Sequence, residues 1–106
     1  MAQAMFKVVG VKSEDNILHC PICNEQNLHH TSVEVFTRHE DDLTTLVTVV
    51  GPAGKTSVGS VDSDQCLNPS SRRDGLRIHF ICEHCHGGKV LEIAQHKGCT
   101  LVEWRI

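Results

Sequence analysis

Two Cys-x-x-Cys pairs constrain this chain more than any other feature of its sequence. The first pair is Cys20 and Cys23, and the second is Cys82 and Cys85. Two cysteines separated by two residues can reach one ion from a tight turn, and four thiolates satisfy the tetrahedral preference of Zn²⁺. Two such pairs in one short chain are typical of a metal site. The sequence therefore predicts one structural Zn²⁺ ion per chain, held by these four residues.

The residues beside each pair suit the turns that such a site needs. Pro21 lies inside the first pair and fixes one backbone torsion angle. Asn24 follows the first pair and tolerates a positive φ, and Gly87 and Gly88 offer the same freedom after the second pair. Because four cysteines close the coordination shell, no position remains for an activated water molecule. We therefore expect a structural ion and not a catalytic one.

The remaining cysteines and the nearby histidines leave alternatives open. Cys66 and Cys99 are predicted to be free thiols, with a second metal site or a disulfide as the less favoured alternatives. Some histidines lie close enough to the pairs to replace a cysteine ligand, although the cysteines form the better-spaced set: His19, His29, His30, His84 and His86. Paired cysteines of this kind are a metal pattern and not a secreted disulfide framework, so we expect a reducing cytoplasm.

Length and charge narrow the class of protein. A chain of 106 residues suits one domain. No apolar run approaches the roughly 18 residues of a transmembrane helix, so no membrane association is expected. The formal net charge is −3, and one Zn²⁺ with four thiolates would bring it to about −5. That sign is unsuited to a protein that coats nucleic acid electrostatically.

Alternating and β-branched runs predict strands along most of the chain. The predicted strands cover residues 5–9, 32–38, 43–50, 55–61, 76–81, 90–94 and 100–106. The segment 55–61 is expected to be weak and to lie at an edge, and little or no helix is expected. The sequence thus predicts a mainly β fold, with an N-terminal arm over residues 1–16. A single antiparallel sheet with a zinc-ribbon metal site is expected over residues 17–106.

The segment 51–56, Gly-Pro-Ala-Gly-Lys-Thr, superficially matches a phosphate-binding loop. That motif needs a first glycine where Val49 stands, and no helix is predicted after Thr56. A hairpin turn is the better interpretation. The sequence also offers no paired carboxylates and no recognisable nucleophile setting, and we do not expect an enzyme.

The polar segment 68–75 has residues suited to binding a partner. Asn68-Pro69 begins a turn, two serines offer donors, and two adjacent arginines suit bidentate recognition of carboxylate or phosphate. A solvated surface is the alternative interpretation. The predicted partner-binding residues are Asn68, Ser70, Ser71, Arg72, Arg73 and Arg77.

Three segments together resemble a known family. The run from Asn68 to Cys85 reads NPSSRRDGLRIHFICEHC, with Cys-Pro-Ile-Cys at 20–23 and Gln-His-Lys-Gly at 95–98. This ensemble resembles short zinc-ribbon proteins from bacteria and their phages, over roughly residues 17–104. The resemblance implies the four cysteine ligands and a bacterial or phage setting, and it implies no reaction. It also favours a functional role for the segment 68–75.

These observations favour a small zinc-stabilised binding module that acts through a macromolecular partner, most simply a protein. The alternative is a nucleic-acid-binding or transcription-associated zinc ribbon that uses Arg72, Arg73, Arg77 and Lys97 to contact phosphates. Net acidity and few aromatic residues for base stacking count against that alternative.

Overall fold

The computed structural model describes residues 17–106, so the predicted arm over residues 1–16 and its strand over 5–9 lie outside the described residues. The described part forms one six-stranded antiparallel sheet. Its strands are β1 (Leu28–Thr37), β2 (Thr44–Val50), β3 (Thr56–Asp62), β4 (Gly75–Cys82), β5 (Gly88–His96) and β6 (Cys99–Arg105). The strand order across the sheet is β3-β2-β1-β4-β5-β6. The predicted mainly β fold with a single antiparallel sheet is confirmed.

The predicted strands within this part all appear, with shifted ends. β1 begins earlier than predicted, because Leu28 pairs with Cys82 and continues the ladder toward the second cysteine pair. β3 lies at an edge, as predicted. Within residues 17–106, helix is confined to two short 3₁₀ turns, Pro52–Gly54 and Ser63–Gln65. The first of these turns joins β2 to β3, which confirms a hairpin connection in place of a phosphate loop. No helix in residues 17–106 is long and apolar enough to cross a membrane.

The first four strands form a Greek key. Hairpins join β1, β2 and β3, and β4 then returns to lie beside β1. The connection from β3 to β4 must therefore pass the ends of two strands, a span of about 14 Å at ordinary strand spacing. This topology requires a long connection over residues 63–74. Its length alone is therefore no sign of a binding function.

The connection is fastened by its own polar side chains. Asn68 Oδ1 accepts a hydrogen bond from the backbone N–H of Ser70 at 3.0 Å, and Asn68 Nδ2 donates to the carbonyl of Arg73 at 2.8 Å. The Ser70 hydroxyl donates to the carbonyl of Gln95 on β5 at 2.8 Å and accepts from the N–H of Arg73 at 3.0 Å. Ser70 is only 4% exposed. The polar groups of Asn68 and Ser70, which the sequence suggested for binding a partner, thus form hydrogen bonds within the fold.

Gly75 marks the tightest approach between this connection and the sheet. A Cβ atom at Gly75 would lie 2.1 Å from Asn68 Oδ1 and 2.8 Å from Pro69 Cδ. Gly75 also pairs with the buried Phe36 on β1 and with Ala94 on β5. Glycine is therefore required here by space and not by backbone torsion.

The two faces of the sheet differ in chemistry. One face carries an apolar row in which Val33, Ile78, Leu91 and Trp104 are successive cross-strand partners on β1, β4, β5 and β6. The Phe80 ring meets Trp104 edge-on, with 5.6 Å between the ring centroids. Such burial of aromatic and branched side chains supplies the main hydrophobic stabilisation of the sheet.

The other face carries a charged row at the adjacent positions. Glu34, Arg77 and Glu92 are successive cross-strand partners, and Arg77 contacts the two carboxylates at 3.0 and 3.2 Å. Arg105 also contacts Glu92, at 2.8 Å. His79 lies on the same face, 2.7 Å from Glu34. The Arg77 side chain is only 14% exposed, and it serves this network.

Candidate metal centre

The pairing of β1 with β4 brings the two cysteine pairs together. The first pair precedes β1 and the second begins at the last residue of β4, and Leu28 is the partner of Cys82. The backbone N–H of Glu83 donates to the carbonyl of Asn27 at 3.0 Å. This hydrogen bond extends the pairing of β1 with β4 to the cysteine site. Cys23 and Cys82, which are 59 positions apart in sequence, are thereby placed with their sulfurs in contact.

The four sulfurs lie close enough together to share one ion. All four Sγ atoms lie within 4.8 Å of one another, with 3.7 Å between Cys20 and Cys85 and 3.5 Å between Cys23 and Cys82. A regular tetrahedron with metal–sulfur distances of about 2.3 Å has edges of about 3.8 Å. The cysteine cluster could therefore hold a metal ion in the arrangement that the sequence predicted.

The two Cys-x-x-Cys turns share one backbone form. The N–H of Asn24 donates to the carbonyl of Cys20 at 2.9 Å, and the N–H of His86 donates to the carbonyl of Cys82 at 3.0 Å. Asn24 has a φ of 63°, as its position predicted, and His86 has a φ of 56°. The expectation that Gly87 or Gly88 adopts the positive φ of the second turn is wrong, because His86, one residue earlier, adopts it.

Lys89 lies buried against the sulfurs. It is 3% exposed, its Nζ donates to the carbonyl of Gly87 at 2.6 Å, and it also forms a hydrogen bond with Cys85. Burial lowers the pKa of Lys89, but the hydrogen bond and the nearby sulfurs outweigh burial and raise it. The sulfurs beside it thus favour the charged form of this buried lysine. Sequence reasoning missed this residue, although its place just after the second pair was a signal.

The pKa values of the cysteine thiols are shifted in different directions. The hydrogen bond from Lys89 lowers the pKa of the Cys85 thiol to about 6, and the backbone N–H of Cys85 lowers the pKa of Cys82. A backbone hydrogen bond at Glu25 lowers the pKa of Cys23, but burial and the neighbouring sulfurs outweigh it and raise that pKa to about 12. Four thiolates at contact repel one another, and a divalent cation among them would favour the deprotonated form of all four.

Three of the nearby histidines, His19, His29 and His84, contact groups other than the cysteine sulfurs. His29 pairs with Glu83, and His84 Nε2 lies 3.2 Å from Asn27 Nδ2. His19 Nδ1 lies 3.0 Å from the carbonyl oxygen of Asn24. In the described residues, the group of side chains close enough to share one ion consists of the four cysteines and includes no histidine.

The two remaining cysteines are free thiols, as the sequence predicted. Cys66 is half-buried in the connection between β3 and β4, and Cys99 is exposed at the start of β6. Within residues 17–106, neither belongs to a group of side chains that could share an ion.

Arg72 and Arg73, two of the predicted partner-binding residues, meet carboxylates of the turn between β1 and β2. Arg72 Nε donates to Asp41 Oδ1 at 2.8 Å, and its Nη2 donates to Glu40 at 2.9 Å. Arg73 also pairs with Glu40. The hydrogen bond from Arg72 lowers the pKa of Asp41. Both arginine side chains remain 49% exposed, so the surface that they form with Glu40 and Asp41 presents positive and negative charges to solvent.

Comparisons with protein-family models, with curated proteins and with solved structures give no match to this chain. The resemblance to short zinc-ribbon proteins therefore stays a prediction. The functional interpretation rests on the cysteine cluster and on the surfaces around it.

Proposed function

We propose that this chain is a zinc-stabilised binding module that acts through a macromolecular partner, most simply a protein, in a bacterial or phage setting. The single observation that carries the proposal is the group of four cysteine sulfurs within 4.8 Å of one another. Thiolate ligands in a tetrahedron favour Zn²⁺ among the common divalent ions.

The zinc is structural in this proposal. Four cysteines complete a tetrahedral shell and leave no coordination position for water or substrate. Two of the ligands, Cys20 and Cys82, are buried, whereas Cys23 is half-buried and Cys85 is exposed, so the site lies between the interior of the fold and its surface. The ion then stabilises a rigid sheet whose surfaces are available to a partner.

The charge distribution favours a protein partner over nucleic acid. Arg72 and Arg73 are held by carboxylates of the neighbouring turn, and Arg77 lies between Glu34 and Glu92. A phosphate backbone would have to displace these carboxylates on a chain whose net charge is already −3. A surface that presents both charges, as Arg72 and Arg73 do with Glu40 and Asp41, instead suits a protein with the complementary pattern.

Replacing Arg72 and Arg73 with alanine tests the partner surface. We expect binding to a partner captured from bacterial lysate to weaken by roughly tenfold or more, because charged contacts steer and orient association. Binding is measured by quantitative capture and then by titration with the purified partner. Zinc content and circular dichroism should be unchanged, since the backbone contacts of the connection do not use these side chains.

The matched variant is Glu40→Gln combined with Asp41→Asn, which releases the same arginines from their carboxylates. We expect a protein partner that contacts both the arginines and the carboxylates to bind this variant more weakly than the wild type as well. If nucleic acid were the partner, the variant would bind more tightly and binding would fall steeply with salt. Wild-type affinity in both folded variants would remove this surface from the proposed function.

Lys89→Met tests the charge balance of the metal centre. A zinc ion with four thiolates carries a net charge of about −2, and the buried ammonium of Lys89 offsets part of it. We expect zinc affinity to fall roughly 10- to 100-fold, as for other groups that support metal ligands. Competition with a chromophoric chelator measures the affinity. Lys97→Met, at the exposed turn between β5 and β6, is the control and should bind zinc as the wild type does.

A further inference from the structure

β3 is an edge strand that is open to solvent along its whole length. All seven of its residues are exposed. β3 pairs with β2 in an unbroken register from Thr56 opposite Val50 to Asp62 opposite Thr44, and it ends the strand order. Among residues 17–106, no strand lies on its outer side. Its outward-facing backbone N–H and C=O groups are thus available to another strand.

This edge lacks the features by which proteins usually prevent pairing. Charged side chains, prolines and bulges blunt most edge strands. From Thr56 to Val61 β3 has neither a charged residue nor a proline, and its pairing with β2 has no bulge. The opposite edge strand, β6, carries Glu103 and Arg105. Val58 is 64% exposed in the middle of β3, which adds an apolar side chain to the open backbone.

We propose that β3 pairs antiparallel with β3 of a second copy of this chain, about a two-fold axis at Gly59, and joins the two sheets into one. Gly59 then faces Gly59 of the second copy, where no side chain obstructs the approach; a Cβ there would meet nothing within 4 Å in one chain. Val58 lies opposite Ser60 and Thr56 opposite Asp62, so no like charges meet.

The charges at the ends of β3 select a second copy in antiparallel orientation. Lys55 precedes the strand, and Asp62 and Asp64 lie at its other end. Antiparallel pairing places the basic end of each strand beside the acidic end of the other. Parallel pairing would place like charges together, at a cost. The strand is therefore complementary to itself, which a strand from an unrelated protein need not be.

The association is expected to be weak and reversible. One pair of seven-residue strands buries less than a standard interface, below about 1,200 Å² in total. The proposal does not depend on the identity of the metal or on the partner surface at Arg72 and Arg73. It concerns an edge of the sheet that β2 separates from β1, one of the two strands that position the cysteines.

Sedimentation of the full-length, metal-loaded chain over a concentration series tests the association. We expect a monomer–dimer equilibrium in the wild type and a monomer in Val58→Lys, because the two new charges would lie diagonally opposite each other. Leu101→Lys is the matched control, since Leu101 is 45% exposed on the other edge strand and the variant should still dimerise. A monomeric wild type at every concentration, or a dimer that only Leu101→Lys disrupts, would overturn the proposal.

A cysteine at the two-fold axis tests the register. Gly59→Cys is made with Cys66→Ser and Cys99→Ser, so that the other thiols are in the metal-loaded cluster. Opposed Cβ atoms in antiparallel strands are about 4.5–5.5 Å apart, and the short end of this range meets the roughly 3.5–4.5 Å of a disulfide. Glutathione disulfide accepts the two electrons and two protons as the bond forms between chains. We expect covalent dimers from Gly59→Cys and few from Leu101→Cys in the same background. Equal yields from both variants would refute pairing at β3.

Discussion

Removing the metal from the loaded protein should lower its free energy of unfolding by several kcal/mol, toward the ~10 kcal/mol that structural zinc supplies in small domains. The reason is the position of the site. Cys23 and Cys82 are 59 positions apart in sequence, so the ion closes a long loop and restricts the unfolded chain. Residues 17–106 form one sheet with few buried apolar side chains, among them Phe36, Leu91 and Trp104, so little other stabilisation offsets the loss.

Thermal and denaturant unfolding with and without a strong chelator measure this effect, and elemental analysis should give one zinc per chain. Cys82→Ser should lose both the zinc and the stability. Cys99→Ser is the control, because Cys99 is exposed on β6 and outside the cluster, and it should retain both. A protein shown to be free of metal, yet folded with an unchanged melting temperature, would contradict the structural role.

Gly75→Ala should destabilise the protein by about 2–4 kcal/mol through steric overlap and lost hydrogen bonds. The new Cβ would lie 2.1 Å from Asn68 Oδ1, so the Asn68 side chain must move and release its bonds to Ser70 and Arg73. Pro69, 2.8 Å away, has no flexible end with which to yield. Chemical denaturation of the metal-loaded variant measures the loss.

Gly88→Ala is the matched control, since a Cβ at Gly88 meets nothing within 4 Å and the variant should be near wild type. A double-mutant cycle sharpens the assignment. Asn68→Ala removes the atom that overlaps, so adding Gly75→Ala to it should cost less than Gly75→Ala costs in the wild type. Strict additivity, or a fully stable Gly75→Ala, would show that the connection does not depend on this close approach.

The cysteine cluster and the strands could be predicted from the sequence because their signals are local. The spacing that lets two cysteines reach one ion lies within four consecutive residues, and the alternation of a strand is visible within a few residues. The connection over residues 63–74 could not be interpreted in the same way. Its length follows from the Greek key, in which β4 returns to β1, and this pairing is a property of the whole sheet. Asn68 and Ser70 then hold the connection by hydrogen bonds within the fold, and Ser70 is buried by them.

The arginines illustrate a second limit. Arg72 finds its carboxylates at Asp41 and Glu40, which are 31 and 32 positions earlier in the sequence. Arg77 finds Glu34 and Glu92 only because three strands are in register. A cationic patch counted from sequence thus becomes a set of ion pairs once distant segments meet. Lys89 was missed in part for the same reason, because Cys85 is near it in the sequence but Cys20 lies beside it only in the folded sheet.

The pairing of β1 with β4 also has an evolutionary consequence. The pairing of Leu28 with Cys82 sets the distance in space between the two cysteine pairs. The chain between β1 and β4 forms the β2–β3 hairpin on the outer side of β1 before it reaches β4. That hairpin can gain or lose residues without moving any sulfur, since loop insertions cost little. Chains of the same architecture are therefore expected to diverge in the length of this excursion while both Cys-x-x-Cys turns persist. A search with a fixed spacing between the pairs would overlook them, whereas a search with a variable gap would find them.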